Sequence, residues 1–515
     1  LEAIKAVFLP GRPAANTCYV GSAKANIGHL EAAAGIAGLI RTALALQRGK
    51  VPPQVHFKML NPQVSLKGTP LHVPTHLEEW PKTEGPRRAG VSSFGFGGTN
   101  AHVILQQPLA RARAVTGPER PVHLLAMSAQ TEKDLKALVL KYAEYFGGNG
   151  ANKSIADICF TSTAGRSHFK HRLAIPLPNR PDRAAVADTM REWAATGVAK
   201  DRLVYSTSSS LAPPKLVYLF TGQGSQYSGM ARQLYETEPV FRTALEQCAS
   251  LLDPQLEQPL SSIVYPEQAA DSRVDHTTFS QPAVFAIEYA LFEMWRSWGF
   301  IPDAVLGHSL GEYAAACIAG AFSLEDGLRL VLERARLMGA LPMRGKMSAV
   351  FAGVEEVNRV IAPFGSALSI AAVNGPLLTA ISGKGDAVDA AIATLESTGV
   401  KCQKLNVSHA FHSALIDPIL DDLEKAALRT SFQPLSIPLA SNLTGEVLEQ
   451  GALLDAAYFR RHAREPVQFL AGLRAVAAEG ETFFLEIGPA PVLIGMGCRC
   501  FANVSEFWAP SLRPG

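Results

Sequence analysis

The sequence predicts an α/β fold whose main sheet is parallel, and two strand-to-loop transitions support this prediction. Leu216–Phe220 is an apolar run typical of a buried strand, and it ends in the glycine-rich loop Thr221–Gln226. Ala304–Leu306 is a second apolar run, and it ends at Gly307–Gly311 (GHSLG), just before a helix-forming stretch. Open parallel sheets keep their functional loops at the carboxyl ends of the strands. We therefore expect both loops at the same edge of one sheet.

Ser309 lies at the turn between the second strand and the helix that follows it. Gly307 and Gly311 remove Cβ where the backbone bends tightly and where strand and helix approach closely. This geometry exposes the serine hydroxyl and points the first helical N–H groups towards the reacting atoms. An ordinary serine in a turn is the alternative, because a bare GxSxG pattern also arises by chance.

Length and composition indicate a multidomain globular protein. The 515 residues suggest roughly three domains. The hydrophobic share of 47% is ordinary for a globular chain. A net charge of +2 gives no reason to expect nucleic acid or an acidic membrane surface as a partner.

Cysteine usage and the lack of long apolar runs predict a cytoplasmic protein. The 7 cysteines are scattered apart from Cys498 and Cys500, and they fit no zinc spacing, so no metal site is predicted. Reduced thiols are typical of the cytosol. No apolar run reaches the length of a membrane span and no signal peptide is recognisable. The chain begins abruptly at Leu1 in a helix-forming stretch, so we expect a fragment of a longer protein.

The first stretch, residues 1–109, contains two motifs rich in glycine and small residues. Gly21–His29 leads into a helix predicted from about Leu30 to Arg48, and the first motif, Lys24–Gly35, spans this junction. Gly90–Leu105, which contains the second motif, is predicted as a glycine-rich loop that feeds a strand. The first motif and residues 93–100 resemble the C-terminal part of a ketosynthase domain of modular polyketide synthases, which has a thiolase-like fold.

That resemblance implies roles for two residues of the first motif. The histidine matching His29 helps to stabilise charge during decarboxylative condensation, and the lysine matching Lys24 organises the site. The family's nucleophilic cysteine and second histidine lie well upstream of these motifs, and Cys18 has different surroundings. Thioester condensation needs a thiolate that holds the growing chain. We therefore expect this piece alone to be inactive as a condensing enzyme, with a structural role for His29.

The connecting stretch, residues 110–214, is predicted to be a small α+β module. A basic, proline-bearing segment precedes it, as a linker would. The module resembles the linker between ketosynthase and acyltransferase domains of polyketide synthases. The predicted elements are a strand at His123–Ala129, a helix at Thr131–Phe146, a further helix near Ile155–Ile158, a strand at Leu173–Ile175 and a helix at Asp182–Gly197.

The main domain, residues 215–496, contains a helix with one charge on its apolar side. Ser323 is a good N-cap, with Asp326 three residues on. Arg334 is the only charge in the apolar arc of this helix. A buried guanidinium without a partner costs several kcal/mol, so it must meet an anion. That anion is either an internal carboxylate or a substrate carboxylate held through two hydrogen bonds.

Residues 407–413 form a polar loop after a short apolar strand, and it carries His409 and His412. A lone histidine in such a loop is more often structural than catalytic. Two histidines, in a chain that also has an exposed serine, make a catalytic role an equal alternative.

Four motifs now occur in a recognisable order: Gly222–Gln226, Gly307–Tyr313, Glu333–Met338 and His409–Ser413. Together they resemble the acyltransferase domain of a type I polyketide synthase, and they are similar to bacterial malonyl-CoA:acyl-carrier-protein transacylases. The resemblance implies an α/β-hydrolase-like core. It covers about Lys215 to Met496, and residues 497–515 look like the linker that follows this domain and packs back towards the ketosynthase.

The resemblance assigns the catalytic roles. Ser309 matches the nucleophile, which becomes a malonyl ester, and His412 matches the general base. In this family a backbone carbonyl orients the histidine, and Gln468 lies at the expected position. The backbone N–H groups of Gln223 and Leu310 match the oxyanion hole.

The resemblance also assigns substrate-binding roles. Arg334 matches the residue that holds the malonyl carboxylate, and Gln281 matches a second polar residue near it. His409 and Phe411 belong to a four-residue motif whose histidine-alanine-phenylalanine-histidine form goes with malonyl selection. A bulky Phe411 would block an α-methyl group, and shape selection of this kind is worth about 1–3 kcal/mol.

Residues 345–407 are predicted to form an inserted subdomain. Their order of strands and helices, strand–helix–strand–strand–helix–strand, fits a ferredoxin-like fold. This subdomain would close one wall of the cleft and place Asn374 beside it.

The predicted function is therefore transfer of malonyl from malonyl-CoA to the phosphopantetheine thiol of an acyl carrier protein. No bound cofactor is expected, and the expected partners are the carrier protein and the other synthase domains. Three alternatives remain: selection of another extender such as methylmalonyl-CoA, a GxSxG serine hydrolase, and a non-catalytic scaffold. A hydrolase would need an acid between Ser309 and its histidine in chain order.

Overall fold

The computed structural model describes residues 2–8, 10, 16–81, 85–108, 119–200, 202–207, 213–268, 272–342, 345–478, 481–501 and 507–514. The chain forms two compact units, Leu1–Thr116 and Gly117–Gly515. Most of the segment predicted as a basic linker, residues 109–118, lies outside the described residues. Among the helices that are described, none combines the length and the apolar character that crossing a membrane requires.

The first unit contains short strand pairs and one long helix. The hairpin of β5 and β6 is fully antiparallel from Arg88–Gln106 to Phe94–Asn100, so the stretch from Gly90 predicted as a loop is already strand. The helix predicted from Leu30 is a 3₁₀ turn at Glu31–Ala33 followed by α-helix. The elements are α1 Glu2–Phe8, β1 Cys18–Tyr19, α2 Lys24–Ile27, α3 Ala34–Arg48, β2 Lys50–Val51, β3 Leu71–His72, β4 Glu78–Glu79, β5 Arg88–Phe94 and β6 Asn100–Gln106.

The second unit begins with an α+β module, as predicted. Its strands form an antiparallel sheet in the order β7, β8, β9, and its helices pack on that sheet around Leu125, Val139 and Trp193. The elements are β7 Val122–Ala129, α4 Glu132–Gly147, α5 Ile155–Ala164, β8 His171–Pro178, α6 Arg183–Thr196 and β9 Val204–Thr207.

In the described part of the second unit, the main sheet has six strands, and its β16–β17 pair is antiparallel while the other pairs are parallel. The strand order across this sheet is β17, β16, β11, β10, β18, β19. The central strands β10 and β11 are buried in the main core because helices cover both faces. The elements are β10 Lys215–Phe220, α7 Arg232–Thr237, α8 Pro239–Leu252, α9 Leu260–Val264, α10 Thr277–Ser297, β11 Ala304–Gly307, α11 Gly311–Ile318, α12 Leu324–Gly339, α15 Leu420–Ala427, β16 Leu439–Ala440, β17 Val447–Leu448, α16 Ala456–Arg464, α17 Phe469–Val476, β18 Thr482–Ile487, α18 Val492–Gly497 and β19 Phe507–Pro510.

The inserted subdomain has the predicted ferredoxin-like order of elements. Its four strands form an antiparallel sheet in the order β13, β14, β12, β15 around a core of its own. The elements are β12 Lys346–Val350, α13 Val354–Ile361, β13 Leu368–Gly375, β14 Leu378–Gly383, α14 Gly385–Ser397 and β15 Cys402–Lys404. A parallel bridge between Ala372 and Val467 joins this sheet to the main core.

The last strand extends the main sheet. Phe507–Pro510, which the sequence placed in a linker after the domain, pairs in parallel with β18. Trp508 stacks on Phe484 with ring centroids 4.3 Å apart. The sheet of the acyltransferase-like domain therefore continues beyond the predicted end at Met496.

Candidate active site

Ser309 lies in a strained turn between β11 and α11, where the sequence predicted a nucleophile. Its φ of 52° is in the left-handed region, which costs about 1–3 kcal/mol for a residue other than glycine. A Cβ on Gly307 would lie 2.1 Å from the Glu312 nitrogen, and one on Gly311 would lie 2.2 Å from the Phe220 oxygen. Both glycines are therefore required by close backbone contacts, and the turn holds Ser309 at the end of the strand.

His412 and Ser309 form a hydrogen-bonded pair. Ser309 Oγ and His412 Nε2 are 2.8 Å apart, and His412 Nδ1 donates to the backbone carbonyl of Glu465 at 2.8 Å. Because the carbonyl oxygen can only accept, the proton of the neutral ring is on Nδ1, and Nε2 is free to accept from the serine hydroxyl. His412 also has a positive φ, 56°.

The orienting carbonyl is not at the position expected from the sequence. Glu465 supplies it, three residues before the predicted Gln468. The Gln468 amide instead donates to the Asn442 carbonyl at 2.7 Å, and Gln468 precedes α17 as its N-cap residue. The prediction of Gln468 was therefore wrong, because α16 ends at Arg464 and the extended residue that follows it, Glu465, already presents its carbonyl to the histidine.

His412 is held in its neutral form. Burial, and after it the positive charge of Arg334, lower the pKa of His412 from 6.5 to about 3. The acceptor on Nδ1 is an uncharged carbonyl rather than a carboxylate, so no anion offsets these two effects.

The two backbone amides predicted as the oxyanion hole, those of Leu310 and Gln223, belong to the two loops that follow β11 and β10. Leu310 follows Ser309 at the start of α11, and Gln223 lies in the loop after β10. A Cβ on Gly222 would lie 2.7 Å from the His308 oxygen, so this loop packs directly on the serine turn. Within the described residues, neither the Leu310 nor the Gln223 amide donates to a protein acceptor.

Arg334 is buried on α12. Its side chain is 2% exposed, and Nη1 donates to Gln281 Oε1 at 2.6 Å. Among the residues that the structure describes, none provides an acceptor for its Nε and no carboxylate forms an ion pair with it. The guanidinium carbon lies 5.3 Å from the ring centroid of Tyr313. Burial lowers the pKa of Arg334.

A chain of hydrogen bonds joins Arg334 to His409. Gln281 Nε2 donates to Gln223 Oε1 at 3.4 Å, and Gln223 Nε2 donates to Thr277 Oγ1 at 3.1 Å. Thr277 and Ser408 hydroxyls are 2.5 Å apart, and Ser408 Oγ is 2.9 Å from His409 Nδ1. No role was predicted for Thr277 or Ser408, because a hydroxyl in a helix or loop carries no distinguishing pattern.

Phe411 and His409 lie together beside the serine–histidine pair. Their ring centroids are 6.0 Å apart. Phe411 is 8% and His409 5% exposed, and His409 Nε2 donates to the Leu341 carbonyl at 3.0 Å. Phe411 immediately precedes His412 in the chain, and its ring is buried in the main core.

Asn374 connects the inserted subdomain to the serine turn. Asn374 Oδ1 is 2.7 Å from His308 Nε2, so the residue before Ser309 is hydrogen-bonded to strand β13.

The two predicted ketosynthase residues, Lys24 and His29, lie in the first unit and are exposed. There, His29 Nδ1 accepts from the Glu31 amide at 2.9 Å.

A buried polar group behind the serine turn was not predicted. Glu312 and Tyr458 are hydrogen-bonded to each other, and Asn442 contacts both Glu312 and the backbone of Ser309. His462 lies near them, with Nε2 3.6 Å from Glu312 Oε1. A carboxylate inside an alanine-rich helix, as Glu312 is, was the one signal in the sequence.

Comparison with known families agrees with this geometry. A family model described as "Acyl transferase domain" matches residues 217–512, more than half of the chain. The chain belongs to this acyl transferase family. Models described as "Beta-ketoacyl synthase, C-terminal domain" and "Ketoacyl-synthetase C-terminal extension" match residues 1–58 and 61–174 of the acyltransferase chain. The predicted resemblance to a polyketide synthase fragment with these three parts is confirmed.

Relatives and solved structures give the same result. The acyltransferase chain is 38% identical over 98% of its length to the spectinabilin polyketide synthase system protein NorB of Streptomyces orinoci, of which it spans 23%. The acyl transferase domain of ZmaA has a TM-score of 0.71 at 30% identity, covering 77% of this chain and 90% of that chain. The acyl transferase domain of SpnD, in complex with 2-(pent-4-yn-1-yl)malonyl, has a TM-score of 0.67 at 29% identity, covering 77% and 91%.

Proposed function

We propose that this acyltransferase domain loads malonyl from malonyl-CoA onto the phosphopantetheine thiol of an acyl carrier protein, through an ester on Ser309. The observation that carries the proposal is the buried guanidinium of Arg334, with its Nε unpartnered in the described structure, next to the Ser309–His412 pair. A buried cation of this kind needs an anion, and a diacid thioester has a free carboxylate to offer.

In the first half-reaction Ser309 attacks the thioester carbonyl of malonyl-CoA. His412 Nε2 takes the hydroxyl proton as the carbon–oxygen bond forms. Meanwhile its Nδ1–H keeps its hydrogen bond to the Glu465 carbonyl. The Gln223 and Leu310 amides donate to the oxyanion, and each such donor is typically worth about 10²–10³ in rate. The carbon–sulfur bond then breaks, and coenzyme A leaves as the thiol with the proton from His412.

In the second half-reaction the phosphopantetheine thiol replaces coenzyme A. It gives its proton to His412 and attacks the ester carbonyl, and Ser309 Oγ leaves with that proton. Arg334 and Gln281 hold the malonyl carboxylate throughout, so the acyl group stays oriented towards the thiol. Burial of Gln281 and Arg334 keeps this end of the acyl group away from bulk water.

Phe411 supports malonyl rather than a substituted malonyl as the acyl group. Its ring is almost fully buried and packs on His409, so it cannot easily turn away to admit an α-substituent. The neighbour SpnD holds a malonyl group with a long side chain. Shape selection at one such contact is worth about 1–3 kcal/mol, so we propose a preference of roughly 10–200-fold.

We assign the rest of the chain by the same boundaries as the sequence prediction. Residues 1–109 would be a ketosynthase portion that is inactive by itself, residues 110–214 the linker, and residues 215–496 the acyltransferase, to which the strand Phe507–Pro510 is added. The partners would then be a carrier protein and the neighbouring domains of a longer synthase.

Intact-mass measurement after mixing with malonyl-CoA tests the proposal. We expect the mass to rise by one malonyl group, the label to map to Ser309, and carrier protein to remove it as malonyl carrier protein. Ser309→Ala should take no label. Rapid hydrolysis of malonyl-CoA with no transfer would instead favour a serine hydrolase, and unchanged loading by Ser309→Ala would rule out the serine ester.

A further inference from the structure

We propose that Glu312 and Asn442 are positioning residues that fix the Ser309 turn relative to the carbonyl that orients His412. The inference rests on the acyl-transfer function proposed above, because it concerns the same serine and histidine. Neither residue touches the reacting atoms, so both would act through the geometry of the pair.

Asn442 holds the serine turn on both sides of its strained residue. Its Oδ1 accepts from the Ser309 amide at 2.7 Å, and its Nδ2 donates to the Gly307 carbonyl at 2.8 Å. Its own backbone carbonyl accepts from the Gln468 amide at 2.7 Å. One buried side chain, 1% exposed, therefore binds the backbone on either side of the left-handed turn, and its main chain binds the segment that follows Glu465.

Glu312 connects Asn442 to the helix that leads to Glu465. Glu312 Oε2 accepts from the Asn442 amide at 2.6 Å, and its Oε1 accepts from the Tyr458 hydroxyl. Tyr458 is on α16, which ends at Arg464, so the next residue supplies the carbonyl for His412. The Tyr458 hydroxyl is also 2.7 Å from Ser441 Oγ, so it is hydrogen-bonded to the residue before Asn442 as well.

This arrangement ties both halves of the catalytic pair to one carboxylate. Glu312 is on α11, three residues after Ser309. Through its hydrogen bond to Tyr458 it fixes the position of α16, and therefore the position of the Glu465 carbonyl. Glu312 is fully buried, so losing one of its hydrogen bonds leaves a polar group unpaired, and the elements would shift to relieve it. A displacement of about 1 Å at a reacting pair costs on the order of 10²-fold in rate.

The test compares chemistry at Ser309 with binding of the acyl donor. Single-turnover release of coenzyme A gives the acylation rate and the half-saturating malonyl-CoA concentration, and labelling by a fluorophosphonate probe reports Ser309 reactivity without any malonyl group. The variants are Glu312→Ala, Asn442→Ala, Tyr458→Phe and Glu312→Gln. Tyr218→Phe is the matched control, because it also removes the hydroxyl of a buried tyrosine. The Tyr218 hydroxyl donates to the Phe300 carbonyl at 2.8 Å, outside this network.

We expect Glu312→Ala and Asn442→Ala to lower both rates roughly 10–100-fold with the half-saturating concentration unchanged, since Arg334 and Gln281 are untouched. Tyr458→Phe should lower both about tenfold, and it keeps the test valid if either alanine variant fails to fold. Glu312→Gln should recover most of the rate, because its amide oxygen can still accept from the Asn442 backbone N–H. Its NH2 group can donate to the Tyr458 oxygen once the Tyr458 hydroxyl turns towards Ser441.

Wild-type rates in Tyr458→Phe, or an equal loss in Tyr218→Phe, would overturn the positioning roles. So would a loss confined to malonyl-CoA binding. If the wild type takes the fluorophosphonate but not malonyl, the proposed acyl donor is wrong, and the labelling rates of the variants still decide the positioning proposal.

Discussion

The buried guanidinium of Arg334 lowers the pKa of His412. Burial is the larger cause, and together they bring that pKa from 6.5 to about 3. The acceptor of His412 Nδ1 is the Glu465 carbonyl, which is uncharged and cannot stabilise an imidazolium as a carboxylate would. Both effects favour the neutral imidazole, which is the form that a general base requires.

We predict that acylation of Ser309 stays nearly constant as the pH falls from 8 to about 5. The reaction needs a neutral imidazole, and a lowered pKa moves protonation to lower pH. The measurement is the second-order rate of coenzyme A release at low malonyl-CoA, which reports the free enzyme.

Circular dichroism at each pH supplies the control. Unfolding lets the buried His412 take up a proton, so the free energy of unfolding decreases as the pH falls below 6.5. A rate that halves near pH 6.5 in fully folded protein would contradict the prediction.

Arg334→Gln should reduce acylation by malonyl-CoA about 10²–10³-fold, because a buried charge partner of the substrate carboxylate is lost. Acylation by acetyl-CoA should change little or improve, since acetyl has no carboxylate. The same substitution should raise the pKa of His412, because Arg334 lowers it. Rates with both donors over a range of pH check the two effects together.

Arg336→Gln is the matched control for that substitution. Arg336 is two residues further along the same helix, but its Nη1 pairs with Glu333 at 3.1 Å at the surface. It should leave the preference for malonyl unchanged. An unaltered malonyl preference in Arg334→Gln would show that Arg334 does not bind the carboxylate.

The sequence predicted the elements whose signal is local. Glycine spacing predicts the serine turn, and helical periodicity predicts the burial of Arg334. The Ser323 cap, which accepts from the Asp326 amide, follows from the residue type at the start of the helix. These features depend on residues close to one another in the chain, where pattern reasoning is strongest.

The sequence could not predict features that depend on the path of distant segments. The carbonyl for His412 was expected at Gln468 and comes from Glu465, because backbone acceptors carry no residue signature. Asn442 accepts a hydrogen bond from the Ser309 amide although the two residues are 133 positions apart in the chain. Its role can therefore be recognised only from the folded structure. The strand at Phe507–Pro510 was missed because a short edge segment with a proline is also typical of a linker.

Phe411→Ser should lower the preference for malonyl-CoA over methylmalonyl-CoA by roughly 10–100-fold, because a smaller side chain leaves room for the α-methyl group. We expect most of this change in the methylmalonyl rate. Competition between the two donors, followed by intact mass, measures the ratio directly. Phe432→Ser is a control, since Phe432 packs on Phe322 and Phe459 in the main core. An unchanged ratio of malonyl to methylmalonyl loading in Phe411→Ser would show that Phe411 does not select between the two donors.

Gly311→Ala should abolish labelling of Ser309 and lower the melting temperature, although alanine normally favours a helix over glycine by about 1 kcal/mol. The added Cβ would lie 2.2 Å from the Phe220 carbonyl oxygen and 2.3 Å from that of Thr221, so α11 would have to move off strand β10. Gly495→Ala is the matched control, because it is also a helical glycine and its Cβ would have no atom within 4 Å. It should keep both the labelling rate and the melting temperature. Equal behaviour of the two variants would mean that the close contact of the serine turn with strand β10 does not set the position of the nucleophile.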